Sequence, residues 1–165
     1  MTQIEESVLV DVPLAVAYEQ WRKVEEFPLF MRGVVSIERR GRELTHWVVG
    51  VAGAQREFDA RTTEVVPDER VAWAAVAGEV RQAGVVTFHR LGAERTRIML
   101  QLDVEPQGLL ERVGEALGFL DRQVIDDLHD FKDFVEAAHD GPPTTPPGAA
   151  PTAPPDAAPG GARAA

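Results

Sequence analysis

Between Gly108 and Ala138 the apolar residues Leu110, Val113, Leu117, Leu120, Val124, Leu128, Phe131 and Val135 recur at steps of three and four, the period of one face of an α-helix. The opposite face carries Glu111, Arg112, Glu115, Arg122, Asp126, Asp127, Asp130 and Asp133, and is expected to meet water. No proline interrupts the stretch, and Pro106 and Gly108 stand just ahead of it as a start signal. At about 1.5 Å per residue such a helix spans roughly 45 Å. A helix with a single apolar stripe gains most of its stability from packing rather than propensity. The rest of the chain must therefore supply a broad apolar surface for it.

That surface is legible as strands. Gln3 to Val12 alternates, with Ile4, Val8 and Val10 on one side. Asp11-Val-Pro13 then leads into a short amphipathic helix marked by Val16, Ala17, Trp21 and Val24, with proline placed where a missing N–H costs nothing. Phe27, Leu29, Phe30 and Met31 crowd around Pro28, a segment that fits a single helical turn. Six strand-like runs follow: Val34 to Arg40, Glu43 to Val51, Gln55 to Val66, Arg70 to Val76, Val80 to Arg90 and Arg95 to Val104. They are punctuated by Gly41, Gly53, Pro67-Asp68, Gly78, Gly92 and Pro106. Such short connections imply an antiparallel meander, because parallel neighbours need a longer crossover. The predicted fold is α+β: about seven strands in a curved antiparallel sheet, two short helices after the first strand, and the long helix at the end.

Alternation also assigns faces. Ile98, Leu100, Leu102 and Val104 point toward the helix, as do Val86 and Phe88, and Phe58, Ala60 and Thr62. Glu57, Asp59, Arg61 and Asp103 fall on the outer side. Trp47, Val49 and Val51 are placed inward. Trp73 shares a parity with Val71 and Ala75, but Ala72, Ala74 and Val76 on the other parity are apolar too, so alternation leaves that strand open. Small inward residues, Ala60, Thr62, Ala75 and Gly84, sit among Phe58, Trp73 and Phe88, a mixture that favours a cavity over a filled core.

Composition narrows the partners. The formal charge is −10, with 27 acidic against 17 basic residues, which argues against binding nucleic acid or anionic lipid. No cysteine is present, so disulfides, thiolate metal sites and cysteine nucleophiles are excluded. No apolar run reaches the length of a membrane span, and the first residues carry no basic leader, so a cytoplasmic protein without stable membrane insertion is expected. Residues 1–139 are read as the folded domain. Residues 140–165 shift to Pro, Ala, Gly and Thr, the composition of a disordered tail with polyproline II character.

The chain resembles the START-like superfamily known as SRPBCC, whose layout is the helix-grip fold. The resemblance is carried by Ser7-Val-Leu-Val-Asp-Val-Pro13, Ala17-Tyr18 with Trp21, Glu26-Phe-Pro-Leu-Phe-Met31, His46-Trp47, Arg56-Glu-Phe-Asp-Ala60, Pro67-Asp-Glu-Arg-Val-Ala-Trp73, Gly84-Val-Val-Thr-Phe88 and the final helix. The sequence looks like the bacterial branch of polyketide cyclase/dehydrase and coenzyme Q-binding START-like proteins. This resemblance implies an internal apolar pocket between sheet and long helix, reached past Phe27 to Met31. The residues expected around it are Phe27, Phe30, Met31, Trp47, Val49, Phe58, Ala60, Trp73, Val86, Phe88, Leu100, Leu117, Leu120 and Val124.

Polar groups for chemistry are sparse. In the related polyketide aromatase/cyclases an arginine occupies the pocket on a central strand; Arg61 is the nearest counterpart, yet alternation turns it outward. The candidates that remain for proton transfer are His46, Tyr18 and Thr62. His46, His89, His129 and His139 form no metal-ligating spacing, and neither a metal nor another cofactor is expected. Three functions follow: a binder of a lipid, quinone or polyketide-like molecule, a polyketide cyclase/dehydrase, or an interaction module acting through its acidic surface or proline-rich tail. The sequence identifies no protein partner.

Overall fold

The computed structural model describes residues 2–51, 53–105 and 113–140, with side chains omitted at positions 2, 51 and 113–119. β1 (Thr2–Val10) leads through Pro13 into helix α1 (Leu14–Arg22) and a 3-10 helix (Val24–Leu29). The strands β2 (Val34–Arg39), β3 (Leu44–Val51), β4 (Ala54–Val66), β5 (Arg70–Gly78), β6 (Gln82–Gly92) and β7 (Arg95–Val104) follow, and then helix α2 (Val113–Asp140). All seven strands form one antiparallel sheet in the order β1-β7-β6-β5-β4-β3-β2, curled into a half-barrel around α2. The α+β helix-grip arrangement expected from the sequence is the one observed. Gly108 to Arg112 of the expected helix and the tail beyond Asp140 lie outside the described residues.

Both short helices form for local reasons. The Pro13 carbonyl accepts the amides of Val16 and Ala17, opening α1 without a side-chain cap. Ala17, Tyr18 and Trp21, spaced by one turn, are its buried face, and Arg22 sits in its last turn, where a cation is favoured. Pro28 keeps the next segment to a short 3-10 helix, and Phe27 turns inward while Leu29 is 74% exposed.

The core lies where the stripe of α2 meets the sheet. Val124, Leu128, Phe131 and Val135 are buried, together with Val8, Val10, Val86, Phe88, Ile98 and Leu100. The Trp21 ring meets Phe131 edge-on at 5.1 Å and Phe27 at 5.2 Å, tying α1, the 3-10 helix and α2 together. Polar stitches fix the helix along the sheet. Gln123 donates to the Gly50 carbonyl (2.8 Å), the Asp11 amide donates to Glu136 (2.7 Å), and Arg32 makes a two-pronged contact with Asp130 (3.1 and 3.2 Å).

Strand β5, open to either parity in the sequence, is settled by its neighbours. Trp73 lies opposite Gly84 of β6, and the indole occupies the space that a side chain at Gly84 would fill. Ala72 and Ala74 consequently face away.

Candidate functional site

A cavity of about 160 Å³ lies between the half-barrel and α2. The sheet side contributes Trp47 and Val49 of β3, Phe58 of β4, Trp73 of β5, and Leu100, Leu102 and Val104 of β7. Phe27 and Met31 close one end, Val80 adds from the turn before β6, and Leu120, Val124 and Leu128 of α2 form the roof. Trp47 and Phe58 are direct cross-strand partners, and their rings stack at 5.8 Å, a flat apolar wall.

Among the described residues, three polar side chains reach this wall: Gln82, Gln123 and Asp127. Gln82 accepts the indole N–H of Trp73 at 3.2 Å, which leaves its own amide N–H groups to donate. The Gln123 amide nitrogen is spent on Gly50, which leaves its oxygen to accept. Asp127 accepts the backbone N–H of Gly33 at 3.2 Å. Burial pushes its carboxyl up from 3.8 to about 6; Asp130 and Asp126 act in the same direction, while the Gly33 amide and Arg32 oppose it. Gly33 is what permits this approach. A Cβ there would overlap the Gln123 amide and stand 2.9 Å from the Asp127 carboxylate. Gly33, Gln123 and Asp127 also belong to the wall of an outer groove lined by Arg32, Arg122 and Asp126, so they separate the apolar cavity from a charged one.

The expected cavity residues divide. Phe27, Met31, Trp47, Val49, Phe58, Trp73, Leu100, Leu120 and Val124 line the cavity. Phe30 does not, because its ring turns to α2 and stacks on Phe134 at 4.3 Å. Val86 and Phe88 are packed solid beneath α1, Phe88 against Tyr18 and Trp21. Ala60 lines a smaller neighbouring pocket. The Leu117 side chain lies outside the described residues.

The proton-transfer candidates are not brought together. Tyr18 is buried with its ring edge on Phe88 at 5.6 Å and touches neither pocket. His46 projects from the outer face of β3, between Asp59 (2.7 Å) and Glu57 (2.8 Å). Hydrogen bonds to Asp59 and then Glu57 raise its pKa above the usual histidine range. Thr62 lines the smaller pocket alone of the three. Arg61 is exposed, as alternation requires. Among the described residues, no group of three His, Cys, Asp or Glu side chains could hold a metal ion, and no helix is long and apolar enough to cross a membrane.

Sequence reasoning missed Asp127, Gln123 and Gln82. Asp127 follows Val124 by three positions and precedes Phe131 by four, so it borders the apolar stripe. That spacing, opposite a glycine that ends the aromatic cluster, is the available signal.

The family model described as "Polyketide cyclase / dehydrase and lipid transport" matches residues 10–133. The chain belongs to this family. It is 54% identical over 136 residues to an uncharacterised 17.2 kDa protein from the melC2-rnhH intergenic region of Streptomyces lincolnensis, covering 82% of this chain and 91% of that one. Among solved structures it is similar to the Zhui aromatase/cyclase of a Streptomyces species, with a TM-score of 0.72 and 21% identity over 85% of this chain and 98% of the other. A START superfamily protein of Mycobacterium smegmatis superposes with a TM-score of 0.66 at 14% identity, covering 81% and 94%. At these identities the two structures bear on the fold alone, which is the helix-grip arrangement described above.

Proposed function

We propose that the protein binds a hydrophobic small molecule, of lipid, quinone or polyketide type, in the cavity between sheet and α2. The observation that carries this reading is the character of the wall: aromatic rings and aliphatic side chains, with polar side chains, among the described residues, only at Gln82, Gln123 and Asp127. An apolar surface with a few fixed polar groups is how small-molecule sites combine burial with orientation. Burial supplies on the order of 25 cal/mol per Å² of apolar surface before ordering costs. The test is native mass spectrometry of protein from its own host after gentle desalting, paired with thermal shift on adding quinones and fatty acids. A retained mass or a raised melting temperature is expected. Protein that is consistently ligand-free and unshifted by every probe overturns the reading.

Asp127 favours a second reading, a polyketide cyclase or dehydrase. A carboxyl that titrates near 6 at the edge of an apolar cavity is matched to moving protons near neutral pH. In its ionised form it would take a proton from the acidic carbon between two ketones of a bound chain. Asp127→Asn keeps the shape and removes the base. A fall of about a hundredfold in turnover of a polyketide mimic is expected, and unchanged turnover defeats the assignment.

A further inference from the structure

Beside the main cavity is a smaller pocket of about 60 Å³, and the two share the rings of Trp21, Phe27, Trp47 and Trp73 as a partition. Three of those rings are interlocked: Trp21 meets Phe27 at 5.2 Å and Phe27 meets Trp47 at 6.1 Å. Trp73 makes no such ring contact among the described residues. It is held by one indole hydrogen bond to Gln82 and by its flat seat on Gly84. It also packs against the aliphatic core on both sides, so of the four rings it is the one set without an aromatic partner among the described residues.

The far side of Trp73 differs chemically from the near side. Arg22, Arg39, Thr45 and Thr62 lie in its wall. Arg39 is paired with Glu25 (2.8 and 3.1 Å), and the Thr45 hydroxyl already accepts the Trp47 indole N–H. Arg22 makes no direct ion pair among the described residues, although its charge acts through space on the Glu25 carboxylate that Arg39 holds, and Thr62 makes no side-chain hydrogen bond among them. The free capacity is thus a cation and a hydroxyl, both able to donate to an anionic oxygen. The main cavity matches the roughly 150 Å³ that accommodates a single benzene ring. An apolar guest longer than that must extend beyond it.

Resting on the reading of the main cavity as a binding site, we propose that the smaller pocket is its second compartment. The two together take an elongated apolar molecule ending in a carboxylate, with Trp73 as the partition that sets guest length. The carboxylate is received by Arg22 and Thr62.

Isothermal titration of the full chain with hexanoic acid, decanoic acid and decanol tests this. Removing the partition, in Trp73→Ala and in the milder Trp73→Phe, is expected to favour decanoic over hexanoic acid by about tenfold relative to the wild type. Arg22→Gln is expected to weaken decanoic acid about tenfold and leave decanol unchanged. If neither Trp73 variant alters the length preference, the second compartment is overturned while the main cavity stands. An unaltered ratio of acid to alcohol affinity in Arg22→Gln overturns the carboxylate assignment. If no probe binds the wild type or any variant, the elongated carboxylate guest is overturned, and the retained-mass and quinone thermal-shift measurements decide the main cavity separately.

Discussion

The backbone amide of Gly33 donates to the Asp127 carboxylate at 3.2 Å, across the seam where the start of β2 meets the middle of α2. One hydrogen bond does not offset the cost of burying that charge, and the carboxyl titrates at about 6 instead of 3.8. The sign of the stability effect follows. Between these values the folded chain holds a proton that the unfolded chain has released, so this group lowers stability as pH rises from about 4 to 6. In Asp127→Asn the amide oxygen still accepts from Gly33, and the titration is gone. Urea denaturation across that range should show the variant gaining on the wild type by on the order of 2 kcal/mol. A stability difference that does not vary with pH contradicts the assignment.

Gly33 is needed for a different reason than backbone freedom. An added methyl would strike the Gln123 amide and crowd Asp127, both at the ends of side chains that can swing away. Gly33→Ala therefore should fold, at the expense of the Gln123 bond to Gly50. A loss of roughly 1–2 kcal/mol is expected in chemical denaturation. Weaker binding of apolar probes should accompany it, since both displaced groups border the cavity.

How much of this was legible depends on which residues are asked. The stripe Val124, Leu128, Phe131 and Val135 and the inward set Ile98, Leu100 and Val104 are buried as their periods require, because period alone decides a face when one side is apolar and the other charged. Trp73 escaped that logic, since small apolar residues occupy both parities of β5; only its register opposite Gly84 fixes it. The charged face of the helix places Asp127 in water with its neighbours Asp126 and Asp130. Helical spacing places it at the border of the apolar stripe, but its burial is completed by Gly33, a glycine distant in sequence. Phe30 belongs to the same dense cluster as Phe27 and Met31, yet in so short a segment the ring that faces the cavity is chosen by the partner available, here Phe134.

Phe131 is fully buried, with Trp21 on one side at 5.1 Å and Phe30 on the other at 6.0 Å. It joins α2 to both preceding helical segments, so no single element can collapse into the space it leaves. Phe131→Ala is expected to cost about 3–5 kcal/mol, read as a lowered denaturation midpoint. Leu29→Ala, at a residue of the same cluster that is 74% exposed, should stay within about 0.5 kcal/mol of the wild type.

His46 provides the contrasting case, a strongly paired group remote from the cavity. Hydrogen bonds to Asp59 and Glu57 favour the imidazolium, so its folded pKa lies above 6.5. A histidine raised in this way adds stability below its unfolded pKa and loses it as pH climbs through the folded one. The ring is half-buried but its partner Glu57 is exposed to solvent, so screening keeps the gain small. The sharper measurement is the titration itself. By NMR the ring protons of His46 should titrate above the range of an unpaired histidine, and Asp59→Asn should draw the midpoint down. The bonds to Asp59 and Glu57 use both ring nitrogens on the outer face, so His46→Ala should leave the affinity for apolar probes unchanged. A loss of binding in that variant would mean that the outer face of β3 and β4 communicates with the cavity through Trp47 and Phe58.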